Sequence, residues 1–304
     1  VISRGDVDAA RTRIGSRVLR TPVLRLDRLW LKLEQLQHTG SFKTRGAFNR
    51  VLAAAEAGGL PEAGVIAASG GNAGLAFAYA ARELGAPAEV FVPETAPAVK
   101  VARLRALGAS VRQVGSEYAE AYEAATKRAA DSGALFGHPY DQAEVCAGQG
   151  TLALELEEQT GGVDTVLVSV GGGGLMAGIA AALEGRSRVI AVEPERCPSL
   201  HAALEAGRPV DAPVSGVAAD SLGARRAGEI PYAVARRTGV TSVLVSDDDV
   251  IAARRALWQN HHIVVEHGTA AAYAALLTGA YTPSDGERVA VICCGANTDP
   301  ADLA

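Results

Sequence analysis

The stretch that decides the fold is Thr165-Val166-Leu167-Val168-Ser169-Val170-Gly171-Gly172-Gly173-Gly174-Leu175. Residues 165–170 are mostly apolar and lack the alternation of a half-exposed strand. They predict a strand buried on both faces. Four glycines end it, and an alanine- and leucine-rich run over 175–183 predicts a helix. Strand, tight loop and helix form the repeating unit of a parallel α/β sheet. Outward from this stretch the unit recurs. Apolar runs at 65–68, 89–92, 111–114, 189–192, 242–245 and 289–293 predict further strands. Helical runs at 42–57, 73–84, 98–107, 118–130, 150–159, 248–259 and 268–277 lie between them. Several helices are expected to stop at a glycine, as at Gly58, Gly85, Gly108 and Gly133. The fold class expected is α/β with mostly parallel sheets. No linker or repeat divides the chain, so two doubly wound domains would have to be interwoven.

Composition sets the outer limits. With 304 residues, 48% of them apolar, a substantial core is available. Net charge is −5, with acids and bases mixed and no basic run. Neither nucleic acid nor a charged membrane surface is an expected partner. No apolar stretch reaches the roughly 18–20 residues that span a bilayer, and residues 1–17 lack the apolar core of a signal peptide. The cysteines, Cys146, Cys197, Cys293 and Cys294, have no zinc-finger spacing and are too few for a disulfide scaffold. A reducing cytoplasm is the expected setting.

Four segments carry chemistry. In Ser41-Phe42-Lys43-Thr44-Arg45-Gly46-Ala47, Ser41 is read as a helix N-cap with Lys43 in the first turn. The positive end of a helix makes such a lysine easier to deprotonate, and a neutral amine is what a Schiff base needs. Taken alone, a solvated surface lysine is the commoner role. Ser69-Gly70-Gly71-Asn72-Ala73-Gly74 joins a strand to a helix; its amides can face an anion, and Asn72 can cap the helix or bond a ligand. The run Gly171–Gly174 exposes successive backbone N–H groups suited to a phosphate. It lacks the Lys-Ser/Thr ending of a nucleotide P-loop and does not fit the spaced dinucleotide fingerprint. Val291-Ile292-Cys293-Cys294-Gly295-Ala296-Asn297 ends a strand where α/β sheets bind ligands. Adjacent cysteines face opposite sides there, so at most one meets a given ligand.

Together, in this order, the segments resemble the serine/threonine dehydratase group of pyridoxal-phosphate enzymes (fold type II, tryptophan synthase β-like, related to serine racemase). Ser41–Ala47 matches the dehydratase lysine motif rather than the Ser-Val-Lys-Asp-Arg form of cysteine synthases. His138-Pro139-Tyr140-Asp141 and Gly148-Gln149-Gly150-Thr151 match a further segment. The resemblance implies a pyridoxal 5'-phosphate cofactor held by Lys43 as a Schiff base. Phe42 would pack on its ring, Asn72 would bond its phenolic oxygen, and Gly171, Gly172, Gly173 and Gly174 would hold its phosphate. Cys294 would lie beside its pyridine nitrogen, and the loop Ser69, Gly70, Gly71, Asn72 and Ala73 would bind the substrate carboxylate. Residues 61–137 would form a small domain carrying the asparagine loop, with 1–60 and 138–304 as the large domain. The implied activity is dehydration and deamination of L-threonine or L-serine to a 2-oxo acid and ammonia, by a homodimer acting on a small amino acid.

Three departures qualify the resemblance. Gly70 replaces the serine that serves serine racemases as an acid–base group, so racemisation should be poor. Ala73 replaces a histidine. Glu193-Pro194-Glu195-Arg196-Cys197-Pro198-Ser199 only partly matches the family's divalent-metal segment, and no metal is assigned. His261 and His262 are expected to diverge at a helix end. Glu266 near a helix start suits the dipole, and the resemblance also places a glutamate there near the cofactor. The chain ends soon after Cys294, so no C-terminal effector domain is expected. The alternatives are another β-hydroxy substrate (hydroxyaspartate or phenylserine), a racemase, or a nucleotide-binding oxidoreductase.

Overall fold

The computed structural model describes residues 1–303. Helix α1 (Arg4–Ile14) leads to the hairpin β1 (Val23–Leu26) and β2 (Leu29–Lys32), and then to α2 (Lys43–Gly58). Next come β3 (Val65–Ala68), α3 (Asn72–Glu83), β4 (Ala88–Val92), α4 (Ala98–Ala106), β5 (Ser110–Gln113), α5 (Tyr118–Ser132) and β6 (Leu135–Gly137). They are followed by α6 (Ala143–Thr160), β7 (Thr165–Ser169), α7 (Gly174–Ala182), β8 (Arg188–Pro194), α8 (Ser199–Ala206), α9 (Ala219–Leu222) and α10 (Glu229–Thr238). The later elements are β9 (Thr241–Val245), α11 (Asp247–His261), α12 (His267–Thr278) and β10 (Val289–Ile292).

The strands make two sheets, ordered β1-β2-β10-β7-β8-β9 and β5-β4-β3-β6. Every pairing is parallel except the β1–β2 hairpin. The four-stranded sheet draws on residues 65–137, between stretches that feed the six-stranded one, so the two halves are interwoven. Strands β3, β7 and β10 are buried along their whole length, as their unbroken apolar runs require. Burial on both faces fails at β5, an outer strand exposed at Ser110, Arg112 and Gln113.

Helix α6 departs most from expectation. It spans 18 residues where only 150–159 predicts helix. Gly148 and Gly150 each cost about 1 kcal/mol of helix propensity relative to alanine, and the expected run starts only at Gly150. Their purpose is close approach. A Cβ on Gly148 would lie 2.7 Å from the Arg45 carbonyl oxygen, and one on Gly150 would lie 2.5 Å from that of Gly178. Helix α6 thereby brings α2 and α7 to backbone contact, and these two helices begin at Lys43 and Gly174. Ala47, Phe48 and Val51 of α2 also share one core with Val65, Ala67 and Phe77 of the four-stranded unit. Among the described residues, no helix is long and apolar enough to cross a membrane.

Candidate active site

Four strands deliver the site from their carboxyl ends, as open parallel sheets do. Beyond β3 lies Ser69–Asn72, beyond β6 His138-Pro139-Tyr140, beyond β7 the glycine run, and beyond β10 Cys294. The segment before α2 joins them through a bridge between Ser41 and Gly295, and the Phe42 amide donates to the Cys294 carbonyl at 3.0 Å. Ser41 is therefore not the N-cap of α2. Its backbone is extended (φ −162°, ψ 160°), and Phe42 takes the cap position without a side-chain bond. The buried Ser41 hydroxyl has no hydrogen-bond partner among the described residues.

Lys43 is the first residue of α2, and its Nζ donates to the Pro139 carbonyl at 2.7 Å. It lies 5.0 Å over the Phe42 ring. No carboxylate pairs with it among the described residues. Burial holds its pKa near 8, well below the ordinary 10.5, although Cys294, Cys146 and Glu266 act to raise it.

The glycine loop is built by its carbonyls. Ser199 Oγ donates to the Gly171 carbonyl at 2.7 Å, and the Gly228 amide donates to that of Gly172 at 3.1 Å. The Gly173 carbonyl accepts from Ala177 within the opening turn of α7. In a trans peptide the N–H points opposite to the C=O. The amides of Gly172, Gly173 and Gly174 therefore face away from these tethers, at the positive end of α7, and make a site for an anion. Gly173 sits at φ +91°, and a Cβ on Gly172 would lie 2.3 Å from the Tyr140 ring. Glycine is obligatory in this cradle.

Asn72 does not cap α3; Gly71 holds that position. The Asn72 Nδ2 instead donates to both oxygens of Glu266, at 2.9 and 3.1 Å. Its Oδ1 accepts from Asn297 Nδ2 at 2.6 Å, and the Asn297 amide donates to Glu266 at 2.8 Å. Glu266 is buried at the start of α12. Burial raises its pKa against the opposing pull of these bonds. Ser69 Oγ accepts from the Gly71 amide at 3.2 Å, while the amides of Gly70, Asn72 and Ala73 have no protein acceptor among the described residues. Ala73 is buried, and Gly70 and Gly71 are half-buried.

The two adjacent cysteines face opposite sides: Cys293 joins the core beside α11 and α12, and Cys294 the core beside α6 and α7. Cys294 Sγ lies 3.1 Å from Thr269 Oγ1, and burial pushes its thiol up to about 12, so it stays protonated at neutral pH. Thr269 also binds Gly295 through both backbone atoms, which fixes this turn.

Thr269 is not singled out by sequence reading, and Ser199 is noted there only as a departure in the metal segment, because each acts through a partner distant in the chain. Glu193 accepts from the amides of Leu200 and His201 at 2.7 Å and from Ser242 at 2.9 Å. With Ser199 tied to the glycine loop, that segment is engaged in holding α8. His261 ends α11, and His262 takes the left-handed position after it, its ring 5.5 Å from Trp258. Among the described residues no group of three metal-ligating side chains occurs.

Comparison with known proteins agrees with this geometry. The pyridoxal-phosphate dependent enzyme family matches residues 14–295. L-threonine ammonia-lyase of Geobacter sulfurreducens is 37% identical, over 96% of this chain and 75% of its own length. Phenylserine dehydratase of Ralstonia pickettii is 39% identical, over 90% of this chain and 84% of its own. The structure of maize serine racemase superposes with a TM-score of 0.92 at 28% identity, over 99% of this chain and 95% of its own. With the match spanning nearly the whole chain and a lysine, a glycine cradle and a thiol assembled at the strand ends of two mostly parallel sheets, this protein belongs to the pyridoxal-phosphate dependent enzyme family.

Proposed function

We propose that the protein is an ammonia-lyase that dehydrates and deaminates L-threonine and L-serine, releasing ammonia and a 2-oxo acid. The observation that carries this reading is the Lys43 amine, enclosed and without an anionic partner among the described residues, beside loops that also carry three outward-facing glycine amides and a protonated thiol. This donor set fits pyridoxal 5'-phosphate. Lys43 would hold the cofactor, the loop Gly171–Gly174 its phosphate, Phe42 its ring, Asn72 its phenolic oxygen and Cys294 its pyridine nitrogen. When bound, the cofactor supplies the electron sink that acidifies the substrate's α-carbon.

Lys43 Nζ is then the base that takes the α-proton. The free amides of Gly70, Asn72 and Ala73, with the Ser69 hydroxyl, orient the substrate carboxylate. The Cys294 thiol, unlike a carboxylate, imposes no negative charge and so favours elimination over slower side reactions. Membership in this family leaves no place for a nucleotide-binding oxidoreductase.

Racemisation needs a second acid–base group facing Lys43. Gly70 offers none, although a Cβ there would meet only Val92 Cγ1 at 3.5 Å. Incubation with L-threonine and L-serine should therefore yield 2-oxo acid and ammonia with little D-serine. Chiral chromatography and ammonia assay decide this; silence on both substrates, or D-serine as the main product, overturns the reading.

Cofactor loading supplies a second test. At an ordinary pKa of 10.5, about one lysine in three thousand is neutral at pH 7; at about 8 it is roughly one in ten. The rate at which apoprotein takes up pyridoxal phosphate should rise with pH and level off above about 8. A rate still climbing tenfold per pH unit at pH 9.5 would contradict the lowered pKa.

Residues 61–137 serve as the small domain in this scheme, closing over the large one to exclude water. A homodimer in a reducing cytoplasm completes the proposal; the four buried cysteines, all free thiols, support the reducing setting alone.

A further inference from the structure

We infer that Asp141 is a positioning residue that holds the lysine end and the phosphate end of the cofactor site at one fixed separation; this rests on the placement of Lys43 and the glycine loop proposed above. Asp141 lies two positions beyond Pro139, whose carbonyl accepts from Lys43 Nζ at 2.7 Å. The two oxygens of its carboxylate accept from the Glu229 and Ile230 amides, each at 3.0 Å, from 88 and 89 positions away. Those amides open α10. The residue before them, Gly228, donates its own amide to the Gly172 carbonyl at 3.1 Å. One carboxylate thus connects the turn that faces the lysine with the amide that tethers the glycine loop.

The capping of α10 separates this link from ordinary helix chemistry. A helix start is usually satisfied by Ser, Thr, Asp or Asn at its own N-cap. Gly228 holds that position here and has no side chain to offer. A Cβ on it would lie 2.7 Å from Asp141 Cγ and 2.8 Å from Pro231 Cδ, so a local cap is sterically shut out. The carboxylate comes instead from the segment that faces Lys43, and its charge suits the positive end of the helix. Both ends of the link are stiff. His138 Nδ1 accepts from the amides of Tyr140 at 3.2 Å and Asp141 at 2.8 Å, and the Gln142 side chain accepts from the His138 amide at 2.9 Å. Tyr140 spans the same gap, its hydroxyl donating to the Arg226 carbonyl at 3.2 Å while its ring covers Gly172. A Cβ on Gly173 would lie 2.7 Å from Pro231 Cβ, so the start of α10 cannot shift without the glycine loop.

The test titrates the full chain, freed of cofactor, with pyridoxal 5'-phosphate and separately with pyridoxal, following the visible absorbance of the lysine-bound form. Pyridoxal carries the aldehyde without the phosphate, so it engages the lysine end alone. Asp141→Ala should weaken pyridoxal phosphate about tenfold, the scale of one hydrogen bond to a charged group, and leave pyridoxal within about twofold. Asp141→Asn can accept only one of the two amides and turns an N–H toward the other, so it should weaken pyridoxal phosphate about threefold. A merely structural role would lower both affinities together, because both titrations draw on the same folded fraction. The ratio of the two affinities is therefore the readout, and Asp141→Asn keeps it measurable if Asp141→Ala does not fold. A ratio equal to that of the unaltered chain in the variants that fold overturns the positioning role alone. Failure of the unaltered chain to gain the absorbance with either compound overturns the placement of Lys43 and the inference with it.

Discussion

Lys43→Ala is expected to lose ammonia release by roughly a thousandfold or more and to lose the visible absorbance of the lysine-bound cofactor. A positioned general base alone is worth about a hundred- to ten-thousandfold, and this substitution removes the tether as well. The fold should survive. Lys43 makes one hydrogen bond, to the Pro139 carbonyl, and no salt bridge among the described residues. It also holds an amine whose charge burial disfavours. A thermal melt close to wild type, with activity and absorbance gone, is the expected pattern. Wild-type ammonia release from a folded variant would sink the mechanism.

Arg45→Ala is expected to cost about 3–5 kcal/mol of stability, the range for removing one member of a buried ion pair. That corresponds to a fall in Tm of roughly 10 °C. Arg45, Lys32 and Glu34 are wholly buried. The guanidinium binds both oxygens of Glu34, at 2.7 and 2.8 Å, and both oxygens of Glu155, at 2.7 and 2.9 Å. Lys32 adds a 2.8 Å bond to Glu155, and Thr21 donates to Glu34 at 2.5 Å. Two cations and two anions thus balance in a dry site.

Burial alone would raise the Glu34 pKa, but Arg45 and Lys32 hold it below the ordinary carboxylate value. Its ionised form therefore stabilises the wild-type fold above pH 4.5, and that share is lost as pH falls through the lowered value. Without Arg45 the carboxylate is uncompensated and its pKa rises. The gap between variant and wild type should then be widest near neutrality and narrow toward pH 4. Arg45→Lys should recover little, since an ammonium cannot make the paired bonds. Melts differing by under about 1 kcal/mol at pH 7 would show that the network is dispensable.

Arg45 also lies two positions beyond Lys43, in the turn of α2 that Gly46 and Gly148 allow to touch α6. The network therefore anchors the helix that presents the lysine. Its chemical character could not be read from Ser41–Ala47, where Arg45 looks like any helical arginine. Glu34 and Glu155 lie 11 and 110 positions away, and nothing local marks them as partners.

Helix α6 shows the same limit in another form. Its two glycines disfavour helix locally, and only the approach of α2 and α7 explains why the helix passes through them. The reading of Ser41 failed because a β-bridge to Gly295 outweighed local capping chemistry. Asn72 failed as a cap for a similar reason, since Glu266 and Asn297 claim both ends of its amide.

By itself the sequence determined the α/β class, most strands, and a glycine loop at Gly171–Gly174 between a strand and a helix. These are local matters. Burial on both faces writes an unbroken apolar run, and four glycines in a row have no helical or strand use. Only the tertiary structure decided that the Lys43 amine faces the Pro139 carbonyl, that Ser199 and Gly228 turn the glycine amides outward, and that Asn72 meets Asn297 from 225 positions away. The physical reason is that parallel sheets align the carboxyl ends of strands remote in the chain. Burial, pairing and charge at such a place depend on through-space neighbours that no local stretch encodes.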